Sequence, residues 1–165
     1  MFSNDYRLPL HLTRLKIDFC LLPSVNNETF RYLPFVDYIE LTNCRIQNYD
    51  VRTLPNRKNL KYLDISHNLC DDENLRRVMQ DLVFNDELKV FNVTNCCPFV
   101  YKYMSTYILF NDTKIEKLYV NNNSFVEAPV DNENVMLPTN LKVFDFSNNK
   151  LGKVFFGMPY CRYLT

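Results

Sequence analysis

The sequence predicts an α/β solenoid, a row of stacked coils with a parallel sheet on its concave side and a mixture of helices and loops on its convex side. Two observations lead to this fold: an apolar triplet that returns about every two dozen residues, and an asparagine or cysteine at a fixed distance after each triplet. The chain has 165 residues, of which 47% are hydrophobic, and this is enough apolar material for a continuous core.

The apolar triplets predict six short strands. Within each repeat the pattern is L-x-x-L-x-L-x-x-N/C, with Val, Ile or Phe replacing some leucines, and the repeats start at Leu12, Val36, Leu60, Leu88, Ile115 and Leu141. Alternation inside each strand places the apolar side chains in the core and the residues between them on the solvent side. We expect residues 1–11 to be an extension or the end of a preceding repeat, residues 12–165 to form the solenoid, and Cys161 to begin a truncated seventh repeat.

The ninth position of each repeat predicts a buried hydrogen-bond ladder. Its occupants are Cys20, Cys44, Asn68, Cys96, Asn123 and Asn149. Where a short strand turns inward, buried backbone groups need partners, and an asparagine side chain supplies both donors and an acceptor. Cysteine is a small, weakly donating substitute that fits the same buried position.

The longer third and fourth repeats predict convex-side helices. Two sets of apolar residues fall at helical spacing: Leu75, Val78, Met79, Leu82 and Val83, and then Val100, Tyr103, Met104, Tyr107 and Ile108. Asp71 or Asp72 is suited to cap the first helix. An amphipathic helix that binds a membrane surface is the alternative, but the repeat period favours packing on the strand layer.

These patterns resemble leucine-rich repeats from about residue 12 to the C-terminus. The segments that carry the resemblance are LKYLDISHN, LKVFNVTNC, IEKLYVNNN and LKVFDFSNN. The outer half of the first repeat, with Leu22, Val25, Phe30 and Leu33, and the phrase LPTNLKVFDFSNNKL are similar to extracellular repeats of the Toll-like receptor kind. The resemblance implies a horseshoe-shaped solenoid that binds ligands and does no chemistry.

Composition argues against catalysis and against several classes of ligand. The 19 Lys and Arg balance the 19 Asp and Glu, so no excess of positive charge calls for nucleic acid. Two glycines, two histidines and no C-x-x-C pair leave little material for a phosphate loop, a catalytic base or a zinc site. No segment has the uninterrupted apolar length of a membrane helix. We therefore expect a non-enzyme without cofactor, metal ion or membrane-spanning segment.

Cysteines and glycosylation sequons bear on the cellular compartment. We expect the neighbouring ladder residues Cys20 and Cys44 to remain unbridged, because ladder side chains run parallel to each other. The candidate glycosylation sites are Asn27, Asn92, Asn111 and Asn122. Four sequons are about twice the number expected by chance, which is weak support for secretion. Because bare solenoid ends expose core, we also expect the chain to be a piece of a longer protein.

The outward side chains of the strands are the candidate binding residues, since rigid strands hold them in a fixed array. They are Arg14, Lys16, Tyr38, Glu40, Tyr62, Asp64, Lys117 and Tyr119. Tyrosines among charges are typical of binding hot spots, although β-propensity alone also places Tyr on exposed strands. The same alternation predicts that Leu63→Asp is severely destabilising and that Asp64→Lys leaves stability almost unchanged.

Two functions remain open. The first is a fragment of an extracellular or cell-surface receptor ectodomain, resembling Toll-like receptors, that binds a protein or another macromolecule or a second receptor copy. The second is a cytoplasmic substrate adaptor resembling the F-box type, in which cysteine commonly holds the ninth position, as in LKIDFC, IELTNC and FNVTNC. The convex helices and the repeats of 26 to 28 residues also fit the second class.

Overall fold

A computed structural model describes residues 11–54, 58–96, 113–125, 130–131, 134–135 and 137–150 of the chain. The elements in chain order are β1 (Arg14–Asp18), β2 (Ser24–Val25), β3 (Tyr38–Thr42), β4 (Asn48–Tyr49), β5 (Tyr62–Asp64), α1 (Asp72–Leu82), β6 (Val90–Asn92), β7 (Lys117–Tyr119), β8 (Val130–Asp131), β9 (Asn134–Val135) and β10 (Val143–Asp145). Each of the six predicted repeats contributes one strand of the main sheet.

The main sheet has six parallel strands in the order β1-β3-β5-β6-β7-β10, which confirms the predicted solenoid. The register pairs each repeat position with the same position of the next repeat, as in Leu15 with Ile39, Ile39 with Leu63, and Leu63 with Phe91. The chain must return to the start of the sheet after every strand, and β2, β4 and α1 lie on this return path, on the convex side.

The apolar triplets form the core between the two sides. Leu63, Phe91 and Leu118, the central members of three triplets, are at most 2% exposed. Leu15 and Ile17 of β1 are only half-buried, because no described strand pairs with the outer edge of β1. The stacking of successive coils therefore determines how completely a triplet is buried.

The convex side changes from strand to helix when the repeat lengthens. β2 and β4, from the two 24-residue repeats, pair in parallel as a small second sheet. The third repeat instead contains α1, which confirms the first predicted helix, and Asp71 is its N-cap, with Oδ1 accepting from the Asn74 backbone N–H at 2.8 Å. The second predicted helix, Val100–Ile108, lies outside the described residues.

Polar side chains of α1 accept hydrogen bonds from backbone N–H groups in and after β4, on the edge of that strand that does not pair with β2. Asn74 Oδ1 accepts from the Tyr49 backbone N–H at 2.7 Å, a bond that a third convex strand would otherwise supply. Asp81, only 2% exposed, accepts from the Tyr49 hydroxyl and from the backbone N–H groups of Arg52, Thr53 and Leu54, at 2.6 to 3.1 Å. Burial, together with the Asp81 charge, holds the pKa of Tyr49 well above its usual value. The helix is thus joined to the preceding coil by polar as well as apolar contacts.

The predicted ladder is built by asparagine in the way the ninth position requires. Asn68 Oδ1 accepts from the backbone N–H groups of Cys44 and Ile46, at 3.0 and 3.1 Å. Its Nδ2 donates to the Leu41 and Ile65 carbonyls at 2.8 and 2.7 Å. One side chain therefore ties its own coil to the preceding coil, in an environment where unpaired groups are costly.

The other ladder residues follow the same geometry. Asn123 Oδ1 accepts from Cys96 N at 2.8 Å, and Asn149 Oδ1 accepts from Phe125 N at 3.2 Å. Cys96 uses its thiol as the weak donor, toward the Ile65 carbonyl at 3.4 Å. The Cys96 thiol thus lies within reach of a carbonyl of the preceding coil, as the asparagine amide does in other repeats.

The expectation that Cys20 and Cys44 remain unbridged is wrong, because a disulfide joins them. Their Cα atoms are 4.3 Å apart, since they occupy the same position in laterally adjacent coils. Parallel Cα–Cβ directions do not keep the sulfurs apart, because rotation about the Cα–Cβ bonds can turn the two sulfurs toward each other.

The eighth position has a conformational requirement that the sequence pattern did not indicate. Its backbone φ lies between 51° and 56° in all six repeats, at Phe19, Asn43, His67, Asn95, Asn122 and Asn148. Asparagine tolerates this left-handed region better than most residues, which accounts for its four occurrences. Phe19 has no such advantage, and its backbone N–H is held by the Asp18 carboxylate at 3.1 Å and by the Thr42 carbonyl at 3.1 Å.

β8 and β9 form a short antiparallel pair on the return path of the fifth repeat. In the part of the chain that is described, no helix combines the length and the apolar character needed to cross a membrane.

Candidate functional site

The third position of the first three repeats forms a stacked row on the concave face. The Arg14 guanidinium carbon lies 4.2 Å from the centroid of the Tyr38 ring. On the other side of Tyr38, the Tyr62 ring is nearly parallel, with 4.1 Å between centroids and 7° between planes. Because β1, β3 and β5 pair in register, the three side chains are placed side by side by the backbone. We call Arg14, Tyr38 and Tyr62 the concave stack.

A charged pair holds the hydroxyl group of Tyr38, the middle residue of the concave stack. Glu40 accepts from Lys16 Nζ at 2.7 Å and from the Tyr38 hydroxyl at 2.8 Å. Burial acts to raise the pKa of Glu40, but the hydrogen bonds from Lys16 and Tyr38 outweigh burial, so this pKa is lowered. Glu40 is therefore ionised at neutral pH and fixes the position of the Tyr38 hydroxyl.

Asp64 holds the Tyr62 end, and the expectation that it is an exposed residue is wrong. Its register places it on the concave side, but it is only 6% exposed. It accepts from the Ser66 backbone N–H at 2.9 Å, from Asn92 Nδ2 at 2.8 Å and from the Tyr62 hydroxyl at 3.3 Å. Burial, with the Asp64 charge beside the ring, raises the pKa of Tyr62, so the phenol stays neutral.

In other repeats, too, the fifth-position side chain accepts a hydrogen bond from the backbone N–H two residues further along the chain. Asn92 Oδ1 accepts from the Thr94 backbone N–H at 3.0 Å, and Asp145 Oδ1 accepts from the Ser147 backbone N–H at 3.1 Å. Each side chain thus fixes the turn that follows its strand. Sequence reasoning missed this role, although the recurrence of Asp or Asn two residues before Ser or Thr was a signal for it.

Lys117 and Tyr119 lie on the same face but away from the concave stack. They are on β7, and β6 separates that strand from β5. Two strand spacings correspond to about 10 Å, so one extended ligand could contact both groups, but they form no single cluster. Of the eight predicted binding residues, the fold brings together the six that lie on β1, β3 and β5.

A row of charges of both signs at the second repeat position was also missed as a unit. Lys61 Nζ lies 2.9 Å from Asp37 Oδ2, and Glu116 lies 3.2 Å from Lys89 Nζ and 2.7 Å from Lys142 Nζ. The lysine side chains are roughly half exposed, so these pairs contribute little to stability. At the beginning of the strands the surface therefore carries charges of both signs, and most of them are paired with an opposite charge.

The sequons differ in how accessible their asparagines are. Asn27 and Asn122 are exposed, whereas the Asn92 amide nitrogen is engaged with Asp64 on the concave face. Asn111 lies outside the described residues. Within the described ranges, no group of three or more His, Cys, Asp or Glu side chains could hold a metal ion.

Comparison with known proteins supports the fold. No protein-family model and no curated protein sequence matches the chain. A solved structure does match: the crystal structure of the TLR13–ssRNA13 complex superposes with a TM-score of 0.60 at 18% sequence identity, over 94% of this chain. The chain folds as a leucine-rich-repeat solenoid. It spans 24% of the length of the matched chain.

Proposed function

We propose that this leucine-rich-repeat chain is a recognition module, a ligand-binding part of a Toll-like or related receptor ectodomain. The concave stack of Arg14, Tyr38 and Tyr62 is the observation that carries the proposal. Arginine and tyrosine, with tryptophan, are the residues enriched at the energetic centre of protein interfaces. Here they lie on three adjacent strands of a rigid sheet, so few side-chain rotations are lost when a ligand binds.

The anchoring of the concave stack supports binding rather than a purely structural role. Arg14 is exposed, and the two tyrosines are half-buried. Glu40 and Asp64 hold the tyrosine hydroxyl groups, so the rings present a preorganised surface to solvent. A preorganised aromatic surface binds with a smaller entropy cost than flexible side chains do.

The balanced charge favours a protein ligand, or a second copy of the receptor, over nucleic acid. Nucleic-acid binding is dominated by lysine and arginine contacts to phosphate, and it calls for a basic stripe. On this face the lysines at positions 16, 61, 89 and 142 are each paired with a carboxylate. The pairing lowers the positive potential that a phosphate backbone would meet.

The compartment proposed for the chain is extracellular or cell-surface. The Cys20–Cys44 disulfide supports it, because disulfides persist in oxidising compartments and are rare in the cytosol. The F-box-type adaptor is the other candidate, because a cysteine at the ninth position and a convex helix such as α1 also fit that class. Expression through a secretory route, followed by glycosidase treatment and thiol titration, separates the two classes. Sugar at Asn27 or Asn122 supports the receptor, and six unmodified thiols support the adaptor.

Binding through the concave stack can be tested with an array of purified extracellular proteins. The chain is biotinylated and compared with a variant that carries Arg14→Ala, Tyr38→Ala and Tyr62→Ala. A matched control carries Arg31→Ala and Gln80→Ala, two exposed residues outside the main sheet. We expect array partners of the unmodified chain to be kept by the control and lost, by tenfold or more in affinity, by the stack variant. Equal binding of all three proteins would contradict the proposal.

A further inference from the structure

Two buried thiols in the third and fourth repeats lie close enough to react with each other. Cys70 and Cys96 are both 0% exposed, and their sulfur atoms are 3.0 Å apart. Cys96 occupies the ninth, ladder position of its repeat, and Cys70 occupies the eleventh position of the preceding repeat. The fold brings them together across 26 residues of sequence.

The architecture of the ladder explains this approach. Asn68 Oδ1 accepts from Cys44 and Ile46, which are the ninth and eleventh residues of the preceding coil. A ninth-position side chain therefore reaches the eleventh residue of the coil before it. One coil later the same relation joins Cys96 to Cys70, so the sulfur–sulfur contact follows from repeat geometry.

We propose that Cys70 and Cys96 form a second inter-repeat disulfide. Each thiol loses its hydrogen and a sulfur–sulfur bond forms, while a disulfide oxidant such as oxidised glutathione accepts the two electrons and two protons and becomes two thiols. The cross-link would tie the third coil to the fourth, as Cys20–Cys44 ties the first to the second.

The fold can lose the thiol hydrogen at little cost. In the reduced state the Cys96 sulfur donates weakly to the Ile65 carbonyl at 3.4 Å. That carbonyl also accepts from Asn68 Nδ2 at 2.7 Å, so it keeps a strong donor after oxidation. Both sulfurs are buried in the folded chain, which means that exchange with the oxidant takes place before the coils close.

Formation of the bond in a cell rests on the extracellular location proposed above, whereas its geometry can be tested without that assumption. The full chain is reduced, denatured and refolded in a glutathione redox buffer. Remaining thiols are then alkylated in denaturant, and the unreduced protein is digested and analysed by mass spectrometry. The experiment contains no ligand, so a failure of the receptor proposal does not alter its outcome.

We expect a peptide that links Cys70 to Cys96, in addition to the one that links Cys20 to Cys44. A second sample carries Cys97→Ser, which removes the neighbouring cysteine in sequence, and the Cys70–Cys96 peptide should persist in it. Alkylation of both Cys70 and Cys96, or linkage of Cys70 to Cys97, overturns the proposal. In a further comparison, Cys70→Ser should lower the urea midpoint relative to the unmodified chain in oxidising buffer and by a smaller amount with reductant. An equal shift in both buffers also counts against the bond.

Discussion

The ladder predicts that Asn68→Ala is among the most destabilising single changes in the third repeat. The substitution leaves the backbone N–H groups of Cys44 and Ile46 without their acceptor inside the core. A buried donor that loses its partner costs about 1–3 kcal/mol, so two of them cost about 4 kcal/mol in the free energy of unfolding. Loss of the Nδ2 donor adds to this, because the Leu41 carbonyl then loses its bond at 2.8 Å.

A graded series separates the ladder from general effects of removing asparagine. Asn149 accepts from the Phe125 backbone N–H but is only half-buried, so water can reach groups that lose their partner, and Asn149→Ala should cost less, about 1–2 kcal/mol. Asn59 is exposed, and Asn59→Ala should change stability by less than about 0.5 kcal/mol. Urea unfolding followed by circular dichroism measures all three variants.

The order of the three variants tests the reasoning even if Asn68→Ala is too unstable to fold. Full unfolding of that variant agrees with the ladder, provided that Asn59→Ala remains folded and Asn149→Ala is intermediate. A cost for Asn68→Ala below about 1 kcal/mol would mean that water or backbone movement satisfies both N–H groups, and the ladder would not be the tie between coils.

Three further changes test other parts of the structure by urea unfolding. Asp81→Ala removes the acceptor of three backbone N–H groups and a buried tyrosine hydroxyl, and we expect the free energy of unfolding to fall by about 3–5 kcal/mol. A decrease below about 1 kcal/mol would refute the proposed role of Asp81. Asp64→Lys should lower the free energy of unfolding by about 2 kcal/mol, because Asp64 is buried and hydrogen-bonded. No change in stability would mean that Asp64 behaves as an exposed residue. Hydrogen bonds from Arg76 and Arg77 lower the pKa of Glu73 to about 2, so its contribution is present above the unfolded value of about 4.5 and is lost as the pH falls through about 2. The stability difference between the unmodified chain and Glu73→Gln should therefore shrink as the pH falls below about 4.5 and be mostly lost at about pH 2. A difference that is the same at about pH 2 and pH 6 would contradict the lowered pKa of Glu73.

Sequence reasoning found the strands and the ladder because both depend on local periodicity. A strand with Leu60, Leu63 and Ile65 on one face must bury that face, whatever its neighbours are. The ninth position is equally constrained, because Asn68 satisfies backbone groups that exist in every coil. Helix α1 was predictable for the same reason, since its apolar stripe has the helical period.

Contacts between specific polar side chains could not be read from that periodicity. Asp81 does not interrupt the apolar stripe of α1, so the sequence gives no sign that it is buried. Its role as an acceptor for backbone N–H groups depends on the placement of α1 beside the loop at residues 52–54. Asp64 follows the outward alternation correctly, yet Asn92 and Tyr62 of neighbouring positions cover it. The Cys20–Cys44 bond was mispredicted because the alternation gives the direction of Cα–Cβ bonds and leaves the side-chain rotation undetermined.

The outward positions of the sheet consequently differ in what they are available for. At the fifth position, Asp64, Asn92 and Asp145 are bound to the backbone of the following turn, and a ligand that took these acceptors would have to break structural bonds. At the third position, Tyr38 and Tyr62 stack on each other and bind internally through their hydroxyl groups, but both side chains are only half-buried and leave part of each ring at the solvent. Binding near the beginning of the strands therefore buries aromatic surface without breaking structural hydrogen bonds, whereas binding near their ends would break such bonds. This asymmetry places the centre of the proposed footprint on the concave stack, beside the second-position charges.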